Sequence, residues 1–210
     1  MTVIRAGYAM SGVGVDWLED STFLEFGYCV TFARGLDAVE LLRRMGCDVA
    51  TAAMKTRIDA NHWIEDLLDD GHPDVGDKER VIRAGESDGW AFAVEDGGTR
   101  GIDEEVLAEV SAGTVATSIF RNVNAVTVFS YAESGLVVCQ YESPLQRGGS
   151  DPDRLVPELI RAGVLFPDGD MPDLGIAEEQ RLTLRMMHAE FGVTLPRETV
   201  EDGELLAAML

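Results

Sequence analysis

Three apolar runs follow one another with only turn residues between them, and this limits the fold more than any other feature. Val115 to Phe120, Ala125 to Tyr131 and Leu136 to Tyr141 are rich in β-branched and aromatic residues. Asn122 to Asn124 separates the first two, and Glu133, Ser134 and Gly135 the last two. Such spacing is that of hairpins, because parallel strands need a crossover of a dozen residues or more. The segment from about 114 to 141 therefore predicts a three-stranded antiparallel meander. Strands and helices do not alternate one for one elsewhere, so the chain reads as α+β, with a mainly antiparallel sheet packed by helices.

The rest of the chain is read on the same terms. Residues 1–15 are rich in glycine and small side chains and predict a loose arm, with one α+β domain over 16–210. Phe23 to Phe32 reads as a strand, with Phe26, Tyr28, Val30 and Phe32 on one face; Leu24 and Tyr28 are also compatible with a short helix. Asp37 followed by Glu40 opens a helix with Leu41, Leu42 and Met45 on its apolar stripe and Gly46 at its end. A second helix spans Ile58 to Asp69, followed by a polar loop from Asp70 to Lys78. Arg80 to Ala84 and Gly89 to Glu95 read as strands, and Asp103 to Val110 as a short helix. After the polar loop from Glu142 to Ser150, a helical C-terminal extension begins at about residue 151. It opens at Asp151-Pro152-Asp153, is kinked or restarted by Pro157, continues from Ile176 to Phe191, and ends in a short helix over Glu201 to Leu210.

Charge narrows the partners. The chain of 210 residues carries 38 Asp and Glu against 17 Lys and Arg, a formal net charge of -21. Phosphate backbones and anionic membrane surfaces repel such a protein, so neither nucleic acid nor membrane is an expected partner. Basic proteins are attracted and steered. Cys29, Cys47 and Cys139 are odd in number and far apart, which gives no disulfide framework and fits a reducing compartment. No run approaches the roughly 20 apolar residues of a membrane helix. The expected location is the cytoplasm.

No catalytic constellation stands out. His62, His72 and His188 have no metal-site spacing and no cysteine beside them. Asp168, Asp170, Asp173 and Glu179 fit a calcium loop poorly, since Pro172 takes a ligand position and Asp173 stands where glycine is needed. Gly12-Val13-Gly14 lacks the third glycine of a dinucleotide fingerprint. No cofactor is expected. The polar, cationic groups set beside the sheet are Arg121, Asn122, Asn124 and Arg147, and these are the candidate ligand-binding residues. Gly148 and Gly149 beside them could present backbone N–H groups to an anion. The opposing reading makes Asn122 and Asn124 a hairpin turn and pairs Arg147 with a nearby acid.

Three stretches carry a resemblance. They are Phe23-Leu-Glu-Phe-Gly-Tyr-Cys-Val-Thr-Phe-Ala-Arg-Gly-Leu through Leu41-Leu-Arg-Arg-Met-Gly46, then Gly89 to Gly97, then Ser111-Ala-Gly-Thr through Phe120-Arg-Asn-Val-Asn124 and on to Gly149-Ser-Asp-Pro-Asp-Arg-Leu155. Over roughly residues 17–165 the chain resembles a family of actinobacterial proteins known as a domain of unknown function. That resemblance implies a bacterial cytoplasmic origin and transfers no residue role. The functional expectation rests on charge: a non-enzymatic module that binds a basic protein, as immunity or regulatory proteins do. The alternative is an enzyme or small-molecule binder with a pocket against the sheet.

Overall fold

The computed structural model describes residues 14–69 and 81–210. The polar loop after Asp69, His72 and all but the end of the N-terminal arm lie outside the described residues. Val15, at the end of that arm, is already buried.

Among the described residues nine strands form one antiparallel sheet in the order β2-β9-β3-β4-β1-β5-β6-β7-β8. In chain order they are β1 (Tyr28–Arg34), β2 (Asp48–Lys55), β3 (Val81–Ser87), β4 (Trp90–Asp96), β5 (Val115–Arg121), β6 (Thr127–Glu133), β7 (Leu136–Ser143), β8 (Gln146–Gly148) and β9 (Leu205–Met209). The expected meander is present as β5, β6 and β7, and β8 extends it. Ser134 and Gly135 both have positive φ, as a two-residue turn matched to strand twist requires.

Period-two alternation gives the sheet two different faces. One carries large side chains: Tyr28, Val30, Phe32, Phe92, Phe129 and Tyr131. It is covered by α4 (Val156–Ala162), α5 (Ile176–Phe191) and two short 3-10 helices, Asp16–Asp20 and Thr22–Glu25. The other carries Ala33, Ala84, Ala91, Ala93 and Ala116. Small residues there let α1 (Ala38–Arg44) and α3 (Glu104–Ser111) come close, with Leu41, Leu42, Val106 and Val110 filling the gap. The remaining helices are α2 (Arg57–Asp69) and α6 (Arg197–Glu201). No helix of the described residues is long and apolar enough to cross a membrane.

The structure departs from expectation at five places. The first strand starts at Tyr28, because Thr22–Glu25 is 3-10 helical and a Cβ at Gly27 would sit 2.5 Å from the Arg121 carbonyl. Phe26 is consequently exposed and off the strand face. β2 and β8 arise in segments with no strand signal; both are sheet edges with no buried residue, so no apolar alternation marks them. The helix expected to open at Asp151-Pro152-Asp153 opens at Val156 instead, after a turn, and Pro157 lies in its first turn, where a missing N–H costs nothing. The last segment is not a helix. Leu205–Met209 is inserted between β2 and β3, and sheet pairing overrides the helical preference of its alanines.

Candidate functional site

Arg121 ends β5 on the large-residue face, level with Tyr28 across the strand pair. Its guanidinium pairs with Glu19, whose side chain is wholly buried beneath the 3-10 helices. Tyr28 Oη donates to the other Glu19 oxygen at 2.9 Å, and Gln180 of α5 donates to Tyr28 Oη at 3.3 Å. Burial pushes Glu19 above the ordinary carboxylate range, against the Tyr28 hydrogen bond and the Arg121 charge. Burial, and then the Glu19 charge, push Tyr28 well above a normal phenol, which keeps it a donor. Arg121 is therefore the surface-facing end of an internal network.

The other predicted residues have other partners. Asn122 Oδ1 accepts from the Asn124 and Val126 backbone N–H groups, both at 2.9 Å, and so builds the β5–β6 turn. Asn124 is exposed in that turn. Arg147 stands opposite Tyr141, on the same sheet face as Arg121. Three strand spacings separate the two, on the order of 14 Å. Arg147 donates to Asp153 from Nε and Nη2, at 3.2 and 2.6 Å, and also to the Pro144 carbonyl. Beyond Gly149, the Ser150 and Asp151 N–H groups bond the Val137 and Val138 carbonyls of β7, so an anion would have to compete for them.

The nucleophile candidates are shielded. Cys29, Cys47 and Cys139 are free and buried. Burial is the largest cause of every shift: Cys29 is raised well above a normal thiol, Cys47 to about 12 and Cys139 to about 11. None forms appreciable thiolate at neutral pH. An aromatic disulfide reagent at pH 8 is expected to leave all three unmodified in the native protein and to modify all three once it is unfolded. Rapid native labelling of any one would contradict the burial. His188 Nδ1 lies 2.8 Å from the Val193 carbonyl, and among the described residues no cluster of three His, Cys, Asp or Glu could hold a metal.

What lies on the outside is different in kind. Arg44, Arg57, Arg121, Arg147, Arg181 and Arg185 are each paired with an acid of this chain. Much of the cationic charge is thereby neutralised internally, and the acid excess falls on the surface. Part of that excess lies in the connection from α4 to α5. Asp168, Asp170 and Asp173 are exposed there, and none is ion-paired among the described residues. Phe166 and Ile176, at the two ends of this stretch, are 48% and 54% exposed. A short closed turn shapes the loop: Phe166 N–H bonds the Asp170 carbonyl at 2.7 Å, and Asp168 accepts from Asp170 N–H at 3.2 Å. Sequence reading singled out these acids only as a poor calcium loop. The signal it passed over was a large apolar residue at each end of the acidic stretch.

Residues 14–210 match the family described as a family of unknown function, DUF6461. The match runs past residue 165 to the end of the chain, so it includes α5, α6 and β9. No curated protein and no solved structure matches the chain.

Proposed function

The chain belongs to this family of unknown function, and from its surface we propose that it is a non-enzymatic module that binds a basic protein partner in the bacterial cytoplasm. The observation that carries the reading is the α4–α5 connection. Phe166 and Ile176 offer apolar contact, and Asp168, Asp170 and Asp173 between them in sequence are free of internal cations among the described residues. Exposed apolar residues beside unpaired charges are what a protein interface combines. The charges supply steering and choice of partner more than affinity. The net charge of -21 extends the same bias to long range.

The test is capture of a partner from a native-host lysate with the whole chain as bait, at low and at high salt. A stoichiometric basic protein, bound at low salt and lost at high salt, is the expected result. Replacing Asp168, Asp170 and Asp173 together with lysine is expected to weaken that binding by about tenfold or more. Phe166→Ser is expected to weaken it at every salt concentration. A partner whose binding ignores both salt and the triple charge reversal would overturn the reading.

A further inference from the structure

Arg83 is the least accommodated charge in the described structure. It lies on β3 opposite Val94 of β4, so its side chain leaves the sheet on the large-residue face. It is 2% exposed. Nη2 donates to the Val200 carbonyl at 3.1 Å, while Nη1 is buried with no hydrogen-bond partner among the described residues. No carboxylate of the described residues makes an ion pair with it.

A complementary orphan lies beside it. Asp96 is two residues beyond Val94 on β4 and so faces the same way. Its Oδ2 accepts from Arg57 Nε at 3.1 Å, but its Oδ1 is buried without a partner among the described residues. Arg57 also donates to Thr22 Oγ1 at 2.7 Å and lies 3.8 Å from the centre of the Phe23 ring, which fixes its position. Burial lowers Arg83 to about 10; Asp96 opposes the shift and Arg57 reinforces it, so all three groups are within electrostatic reach. Arg83 remains a cation at neutral pH.

The charges then determine what fits. Two cations share one carboxylate here, so Arg57, Asp96 and Arg83 together keep one net positive charge in a buried place. Buried charges in native proteins are paired or bind something. The orphan N–H calls for an anionic acceptor, and the orphan carboxylate oxygen calls for a donor. A simple halide or acetate answers only the first need. We infer that Arg83, Asp96 and Arg57 form a binding site for a small oxyanion that carries its own hydrogen-bond donor, the class of bicarbonate, dihydrogen phosphate and short 2-hydroxy carboxylates. Arg83 takes the charge, and Asp96 accepts from the ligand's O–H and so rejects anions that have none. The Arg57 and Asp96 side chains are 13% and 19% exposed.

The test titrates the whole chain, at constant ionic strength, with bicarbonate, phosphate or glycolate, and with acetate as the donor-free control. Binding is read by carbon or phosphorus NMR of the anion and by the melting temperature of the protein. At least one donor-bearing anion is expected to broaden and to raise the melting temperature at concentrations of about 10 mM, with acetate about tenfold weaker. Which of the three responds identifies the member of the class. Arg83→Met is expected to fold, because it removes a buried unpaired cation, and to lose the response. Asp96→Ala is expected to keep a weak response but to stop distinguishing glycolate from acetate. The inference is overturned if no donor-bearing anion binds the wild type, if acetate binds as well as the donor-bearing anion that responds, or if Arg83→Met responds undiminished.

Discussion

Replacing Glu19 with alanine is expected to destabilise the fold by about 3–5 kcal/mol, the usual cost of removing one partner of a buried ion pair. The loss falls on three groups at once. Arg121, 13% exposed, is left a cation without its acid. Tyr28 Oη loses its acceptor, and Gln180 loses the ordered phenol that it donates to. Glu19→Gln keeps an acceptor for Tyr28 and is expected to cost less. Replacing Glu19 and Arg121 together with methionine is expected to recover much of the loss, since no unpaired charge remains. Denaturant unfolding with an unchanged slope measures each variant. The pH dependence gives an independent check. Burial raises the folded-state pKa of Glu19 above its usual 4.5, so the contribution of this group is fully present below that value and is lost as pH rises through the folded pKa. Glu179 is raised in the same direction, so the slope must be read as wild type minus Glu19→Gln. Equal stabilities of Glu19→Ala and wild type would show that the network is not formed.

The fold was legible wherever local chemistry and tertiary role agree. The Ser134-Gly135 turn and the runs around it specify their hairpin in any context, and Asp37 caps α1 by accepting from Glu40 N–H at 2.7 Å, as its spacing predicts. The sequence misled where tertiary pairing decides the outcome. Leu205–Met209 is a short apolar run with two alanines, and such a run is a helix or a strand according to what lies beside it. The site was legible only in part, for a similar reason. Arg121 is recognisable as a cation at a strand end, but its partner lies 102 positions away in a 3-10 turn. Nothing local distinguishes an arginine aimed at solvent from one closed over a buried acid. Arg83 gave even less, being one base among 17 in an expected strand. Its burial is a consequence of α6 packing over β3, which no local pattern records.

Gly149→Ala is expected to destabilise by about 2–6 kcal/mol, as backbone strain and steric conflict act at the same place. Gly149 has φ +113, a conformation that side-chain-bearing residues rarely adopt, and a Cβ there would sit 2.3 Å from the Val138 carbonyl oxygen. The carbonyl carbon follows at 2.7 Å and the Cys139 nitrogen at 3.1 Å, so every close atom is backbone. That backbone cannot easily move. Cys139 is paired with Tyr131 beside a register shift in the β6–β7 ladder, and the Val137 and Val138 carbonyls accept from Ser150 and Asp151. Relief of the clash would therefore break hydrogen bonds on both sides of β7. Gly163→Ala separates the two contributions. Gly163 also has positive φ, at +82, but a Cβ there meets nothing within 4 Å. Its replacement is expected to cost only about 1–2 kcal/mol, the left-handed penalty alone. Calorimetric or denaturant unfolding of the two variants side by side gives the contact term by difference. A Gly149→Ala protein no less stable than Gly163→Ala would mean that this loop does not close onto β7. The Ser150 and Asp151 N–H groups would then be free for an anion beside Arg147, as the two adjacent glycines first suggested.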